Sequence, residues 1–74
     1  MSVLPRVSGR EAVAVLRKFG YEVDRQRGSH IVLRHHRPPY RRLVVPDHRE
    51  LAKGTLRAII RQAGLSVEES TSAL

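Results

Sequence analysis

Three short strand-like segments constrain the fold of this chain most strongly, and in the first of them apolar and polar residues alternate. They cover residues 21–26, 30–35 and 41–45. A period of two is typical of strands that bury one face, and the connections between the segments are short. The sequence therefore predicts a three-stranded antiparallel meander, which Pro46 ends because proline cannot donate to a strand ladder.

The same alternation predicts which side chains face the core. Tyr21 and Val23 are expected on the buried face of the first strand. Ile31 and Leu33 form the natural core pair of the second strand. The opposite, open face of the sheet then carries His30, Arg34 and Arg42.

Two amphipathic helices flank the strands. Ser8 and Glu11 have the spacing of a capping box before a first helix over residues 9–19. Residues 47–53 are expected to form a turn or a short helical piece before a second helix over 54–63. The element order is α-β-β-β-α, an α+β fold in which both helices cover one face of the sheet, as in double-stranded RNA-binding domains.

The C-terminal segment carries weaker signals. Gly64 and Leu65 match a Schellman end of the second helix, and Ser66 and Glu69 repeat the capping-box spacing over a possible single turn. From Ser70 onward the chain has little apolar content. We expect one domain over residues 1–74, an ordered core over about 6–66, an extended lead-in at 1–7 and a flexible tail.

The net charge of the chain limits the classes of partner that it is expected to bind. The chain of 74 residues has 14 Lys and Arg against 7 Asp and Glu, a net charge of +7, and no cysteine. Nucleic acid is the leading partner class, followed by an acidic protein and an anionic membrane surface. A domain of this size offers no enclosed cofactor pocket, so no cofactor is expected. The absence of a signal-like or membrane-spanning apolar run predicts a cytoplasmic protein without a membrane partner.

The turn at Gly28-Ser29, followed at once by His30, is the place where chemistry is expected. Glycine permits a tight turn or a close approach to a ligand, and Arg25 and Arg27 attract anions there. Histidine alone titrates near neutral pH without perturbation. The simpler alternative is an ordinary hairpin turn followed by a surface histidine.

Several spaced motifs resemble the HicA, or YcfA-like, family of toxins from HicA–HicB toxin–antitoxin pairs. They are Val7-Ser8-Gly9-Arg10-Glu11, Phe19-Gly20-Tyr21, Arg25-Gln26-Arg27-Gly28-Ser29-His30, Val45-Pro46-Asp47-His48, Lys53-Gly54-Thr55-Leu56-Arg57 and Gln62-Ala63-Gly64-Leu65-Ser66. The resemblance covers nearly the whole chain. The basic hairpin over residues 35–42 departs from it, since this region varies among relatives.

The resemblance implies a double-stranded RNA-binding-like fold and an mRNA interferase, an endoribonuclease that works without a metal. The family's G-S-H motif maps onto this chain and makes His30 the catalytic residue. The antitoxin, a HicB-like and acidic protein, is expected to cover the His30 face. The residues expected to bind RNA are Arg25, Arg27, Gly28, Ser29, Arg34 and Arg42.

Alternatives stay open at several positions. A non-catalytic RNA-binding module would share the fold, and a purely antitoxin-like interaction protein would show no affinity for RNA. His48 is a structural residue before the second helix, an RNA contact or a second proton-transfer group. His35 and His36 should point to opposite faces and make a poor metal-binding pair, so no metal site is expected. Tyr40 stacks a base or is an ordinary hairpin residue.

Overall fold

The structure is a computed structural model that describes residues 4–74. Its elements are α1 (Gly9–Lys18), β1 (Tyr21–Arg27), β2 (His30–His35), β3 (Arg42–Pro46), α2 (Lys53–Gln62) and α3 (Val67–Ser72). The predicted α+β arrangement is confirmed. Of the extended lead-in expected over residues 1–7, the first three residues lie outside the described part.

Both ends of α1 follow the sequence signals. The Ser8 hydroxyl accepts from the Glu11 N–H at 3.0 Å, and the Glu11 carboxylate accepts from the Ser8 N–H at 3.0 Å. This capping box satisfies two backbone donors that would otherwise be free at the start of a helix. Gly20 follows the C-cap residue Phe19 with φ 95°, which is the left-handed conformation that glycine adopts without strain.

The three strands form one antiparallel sheet with β2 in the middle. The third strand includes Pro46, which pairs with His30, so the predicted strand over 41–45 is placed one residue too early. Proline is tolerated there because β3 is an edge strand and Pro46 is its last residue. Beyond it, the Asp47 N–H still donates to the Ser29 carbonyl.

The core lies between the sheet and the first two helices. Leu33 and Val45 of the sheet are fully buried, and Leu16 and Ile59 are among the buried apolar side chains of the facing helices. The Tyr21 ring enters this core from β1. Its hydroxyl donates to the Ala63 carbonyl just after α2, at 3.2 Å. The packing therefore leaves the opposite face of the sheet uncovered by the helices.

The prediction that Tyr21 and Val23 are both buried is half correct. Tyr21 is 2% exposed, whereas Val23 is 47% exposed although it lies opposite Leu33. The ladder is interrupted after Val23 by a β-bulge at Asp24. Since β1 is an edge strand and bulges at this point, Val23 lies beyond the area that the helices cover.

The segment after β3 contains no helical piece. Residues 47–52 are irregular, and α2 begins one residue earlier than predicted, at Lys53, without a side-chain cap. Its end is the predicted Schellman motif. The Gly64 N–H donates to the Arg61 carbonyl, and the Leu65 N–H donates to the Ile60 carbonyl.

The C-terminal segment forms a third helix that the sequence predicted only as a possible single turn. The capping box of Ser66 and Glu69 is present, and α3 continues to Ser72. Ser70 is 7% exposed, and its hydroxyl donates to the Ser66 carbonyl at 3.0 Å. Lys18 also donates to the Ala73 carbonyl, at 2.6 Å. Flexibility of this tail stays a prediction.

Within residues 4–74, none of the helices has the length and apolar character needed to cross a membrane.

Candidate active site and nucleic-acid interface

The β1–β2 hairpin ends in a two-residue turn formed by Gly28 and Ser29. Gly28 has φ 56°, which matches the first central residue of a type II′ turn, where glycine is preferred. A Cβ on Gly28 would meet no protein atom within 4 Å. Glycine is therefore required by the backbone conformation and not by crowding, and the space beside the turn is open to a ligand.

His30 is the first residue of β2 and lies on the open face. It pairs with Arg27 on one side and with Pro46 on the other. Its neighbour Ile31 is buried, so the alternation of the strand turns the His30 ring away from the helices. The ring is exposed, and within the described part of the chain no hydrogen-bond partner fixes either nitrogen.

Asp47 connects the turn to α1. Its carboxylate accepts two hydrogen bonds from the Arg10 guanidinium, both at 3.3 Å, and one from the Gln26 side-chain amide at 3.2 Å. Its own N–H donates to the Ser29 carbonyl at 2.6 Å, and Gln26 also donates to the Gly28 carbonyl at 3.1 Å. Asp47 therefore holds the end of the hairpin against β3 and α1.

The sequence reasoning missed this role of Asp47. It placed the residue in a polar segment before α2, with no partner assigned. The available signal was a carboxylate directly after the strand-ending Pro46, which must lie beside the neighbouring turn once β2 and β3 pair. Because Arg10 and Asp47 are far apart in the chain, only the fold brings them together.

Gly9 is the second residue that fixes the position of the turn. A Cβ at Gly9 would overlap the Pro46 carbonyl oxygen and lie 3.1 Å from the Asp47 Cα. The Gly9 N–H donates to the His48 carbonyl at 2.9 Å. The start of α1 therefore packs directly on the backbone of Pro46, the residue of β3 that pairs with His30.

The four predicted arginines divide into two groups. Arg25 and Arg27 lie on the open face opposite Val32 and His30, and neither makes an ion pair or hydrogen bond through its side chain among residues 4–74. Arg34 and Arg42 occupy opposite positions on β2 and β3, farther along the sheet. The structure therefore places two guanidinium groups that have no protein partner among residues 4–74 at the end of the sheet that carries His30, called the His30 end below.

The second pair of arginines is already engaged. The Arg34 Cζ lies 4.6 Å from the centre of the Tyr40 ring, and Arg42 donates to the Asp24 carboxylate at 3.1 Å. The bulge at Asp24 directs its carboxylate to the open face, where Arg42 reaches it across the middle strand. These two arginines lie about four residues along β2 from His30, roughly 13 Å.

Two further donors lie beside His30. The backbone N–H groups of Gly28 and Ser29 donate to no protein acceptor within the part of the chain that the structure describes. Adjacent free N–H groups in a turn can bind an anion. Together with Arg25 and Arg27 they make the His30 end suitable for a phosphate group.

The expectation that His35 and His36 point to opposite faces is wrong. Their rings are stacked with centroids 5.0 Å apart, because β2 ends at His35 and His36 is free of the strand alternation. The Arg37 N–H donates to His35 Nδ1, so the hydrogen of the neutral ring is on Nε2, which donates to the Phe19 carbonyl at 3.0 Å. His35 is therefore a structural residue.

The other candidate positions are placed as follows. His48 is exposed and lies two residues beyond Pro46, at the same end of the sheet as His30. In residues 4–74, no three His, Cys, Asp or Glu side chains come together in a way that would hold a metal ion. Tyr40 is 45% exposed at the other end of β2.

The fold and this face define a small basic α+β domain with a histidine beside two free arginines on the open face of its sheet. A family model described as the HicA toxin of bacterial toxin–antitoxin systems matches residues 9–65. The chain belongs to the HicA toxin family. A search of curated proteins found no match. Membership of a toxin–antitoxin family implies that the chain has an antitoxin partner.

Proposed function

We propose that this toxin is a metal-independent endoribonuclease that cleaves mRNA, with His30 as the catalytic residue. The observation that carries the proposal is the position of His30. It lies exposed at the start of β2, opposite the uncommitted Arg27 and next to two free backbone N–H groups. The activity belongs in the cytoplasm, where message is available.

RNA supplies its own nucleophile for such a reaction. The 2′-hydroxyl oxygen attacks the adjacent phosphorus, the bond to the 5′-oxygen breaks, and a 2′,3′-cyclic phosphate and a 5′-hydroxyl result. One group must take the proton from the 2′-hydroxyl, and one must give a proton to the leaving oxygen. A positioned general acid or base contributes roughly 10²–10⁴-fold, and cations that stabilise the developing charge contribute further.

The roles follow from the geometry at the His30 end. His30 acts as general base or general acid. Arg25, Arg27 and the N–H groups of Gly28 and Ser29 bind the scissile phosphate. His48 is our candidate for the second proton-transfer group, because its backbone lies at the same end of the sheet. Arg34 and Arg42 contact the RNA farther along the strand.

The antitoxin partner is proposed to be an acidic, HicB-like protein that covers the open face. The chain carries a net charge of +7, which favours association with a negative surface. The open face combines the arginines with Val44 of β3, which is 50% exposed. Direct coverage of His30 would inhibit cleavage without any change inside this small domain.

A second candidate is a non-catalytic RNA-binding module. The lack of any hydrogen-bond partner for the His30 ring within residues 4–74 favours it, because catalytic histidines are commonly oriented by a second group. The two functions differ in one measurement. The purified protein, incubated with single-stranded RNA and excess EDTA, should produce fragments ending in a cyclic phosphate. Cleavage that stops on chelation and returns with one divalent ion would contradict the metal-independent mechanism, and intact RNA in both conditions would support the binding module.

A further inference from the structure

A second site lies at the opposite end of β2 from His30. An open cleft of about 300 Å³ separates β1 from the loop over residues 36–41, and its walls include Glu22, Arg34 and Tyr40. This volume is at the lower end of the range for small-molecule sites, about 300–1,000 Å³. The cleft therefore suits one small planar group and not a larger ligand.

Tyr40 is presented to this cleft in an unusual backbone conformation. Its φ is 58°, and it is the non-glycine residue with positive φ in the described chain. A bulky aromatic residue rarely adopts this conformation, because its Cβ comes too close to the following carbonyl oxygen. The Tyr40 N–H donates to the Arg37 carbonyl at 2.8 Å, which holds the turn. The ring remains 45% exposed, so the strain is not offset by burial in the core.

The loop that carries Tyr40 is held on several sides. The His35 N–H donates to the Arg41 carbonyl at 2.8 Å, and the His36 N–H donates to the Gly20 carbonyl at 3.0 Å. The Arg37 N–H donates to His35 Nδ1, also at 3.0 Å. A loop fixed in this way loses little conformational entropy when a ligand binds. The Tyr40 ring is therefore already held in position before a ligand binds.

The chemistry of the cleft matches a nucleobase. An exposed aromatic ring stacks bases of single-stranded RNA, and Arg34, which lies over one face of the Tyr40 ring, adds a cation close to the backbone of the same strand. Glu22 lies opposite Arg34 on the open face, and its carboxylate has no hydrogen bond or ion pair within residues 4–74. A free carboxylate in a basic protein selects a ligand that brings hydrogen-bond donors.

Guanine is the base that fits this carboxylate best. Its N1–H and exocyclic amino group lie side by side and can donate to both carboxylate oxygens, a bidentate arrangement. Uracil offers one N–H between two carbonyl oxygens, which a carboxylate repels. Two residues of its wall, Glu22 and Arg34, lie on the same face as His30, and Arg34 is four residues along β2, so one RNA strand can reach both places.

We propose that the cleft formed by Tyr40, Arg34 and Glu22 binds one base of the RNA strand, with a preference for guanine over uracil, a few nucleotides from the phosphate at His30. This inference rests on the proposed function, because that function identifies the ligand as RNA. It assigns a role in substrate selection to the hairpin over residues 35–42.

The test uses RNA that cannot be cleaved, so that it does not depend on catalysis. The probes are fully 2′-O-methylated strands of roughly eight nucleotides, within the range of about 4–16 that single-strand binding domains cover. One probe is all uracil, and the other has a single central guanine. Affinities for the full chain are measured together with the NMR resonances of the Tyr40 ring.

The wild-type protein should bind the guanine-containing strand about 5-fold or more tightly than the all-uracil strand. Tyr40→Asn should weaken its binding by about 5- to 150-fold, since base stacking on an aromatic ring is worth that much. Asparagine tolerates the left-handed conformation, so the loop should be kept. Tyr40→Phe should stay within about twofold, and Glu22→Gln should remove the guanine preference while Glu50→Gln keeps it.

Equal binding of both strands, or an unchanged affinity of Tyr40→Asn, would overturn the proposed base site and leave cleavage at His30 untouched. An antitoxin affinity that falls in Tyr40→Asn while RNA affinity does not would also overturn it, because the hairpin would then be a protein contact. A guanine preference that depends on Tyr40 in a protein that never cleaves RNA would support the base site and reject the nuclease.

Discussion

His30 and Arg27 pair with each other across the Gly28-Ser29 turn, so the histidine ring and a free guanidinium start from adjacent positions on the open face of the sheet. Cross-strand neighbours have Cβ atoms about 4.5–5.5 Å apart. A phosphate bound by Arg27 would therefore lie within reach of the His30 ring. Neither residue is buried, so substrate can approach both from solvent.

Arg27→Ala should weaken binding of single-stranded RNA and make the slope of log affinity against log salt shallower by about 0.7, the value for one phosphate that is no longer neutralised. The reason is that one fewer counterion is released on binding. The matched control is Arg57→Ala, which removes an exposed cation from α2 on the far side of the sheet. A salt series by fluorescence anisotropy measures both slopes, and equal slopes for the two variants would remove Arg27 from the RNA interface.

Asp47→Ala should destabilise the fold by about 1 kcal/mol, because its ion pair with Arg10 is only partly exposed on the Asp47 side. It should also slow RNA cleavage by about tenfold or more, since the turn before His30 loses its support. Urea denaturation and cleavage assays give the two values. Glu50→Ala, which removes a mostly exposed pair with Arg6 at 3.8 Å, is the control and should change both little. Loss of stability with an unchanged cleavage rate would limit Asp47 to a structural role.

Much of the fold was predictable because its signals are local. The Ser8 and Glu11 capping box, the alternation of Ile31 and Leu33 and the Schellman end at Gly64 each depend on a few adjacent residues, and each is confirmed. The face that carries His30 was predictable for the same reason. Once Ile31 is buried, the residue before it must point to the other side of the strand.

The remaining features depend on strand irregularities and tertiary contacts that a local pattern does not show. The exposure of Val23 follows from a bulge in an edge strand, which alternation does not reveal. The support that Asp47 gives to the turn requires Arg10, from a helix far away in the chain. The stacking of His36 on His35 depends on where β2 stops. Neither the bulge nor the stacking has a sequence signal of its own, and for Asp47 the only signal is its position directly after Pro46.

Gly9→Ala should destabilise the protein by about 1–3 kcal/mol, because the added Cβ overlaps the Pro46 backbone and neither segment can move without disturbing the core. Helix propensity alone predicts the opposite sign, a gain of up to about 1 kcal/mol. Gly54→Ala in α2 is the control, since no protein atom lies within 4 Å of its Cβ position. It should stabilise the protein or leave it unchanged. Urea denaturation of both variants decides the matter, and a stabilising Gly9→Ala would show that α1 does not pack on Pro46 as described.

Co-expression of an acidic, HicB-like antitoxin should restore growth and protect His30 from modification by diethyl pyrocarbonate. The expected cause is direct coverage of the open face. His36, which is also exposed and lies just beyond the other end of β2, serves as the internal reference in the same mass spectrum. A complex that blocks cleavage while His30 reacts at the rate of the free protein would exclude coverage and require inhibition from another surface.

The most direct measurement is the RNA cleavage rate of His30→Ala beside that of the wild-type protein, both in excess EDTA and at RNA concentrations that saturate binding. If His30 is the proton-transfer group, the rate should fall by about 10²–10⁴-fold, while RNA affinity and its salt dependence stay close to wild type because they rest on the arginines. A His30→Ala protein that cleaves RNA as fast as the wild type would contradict the central claim that this histidine carries the reaction.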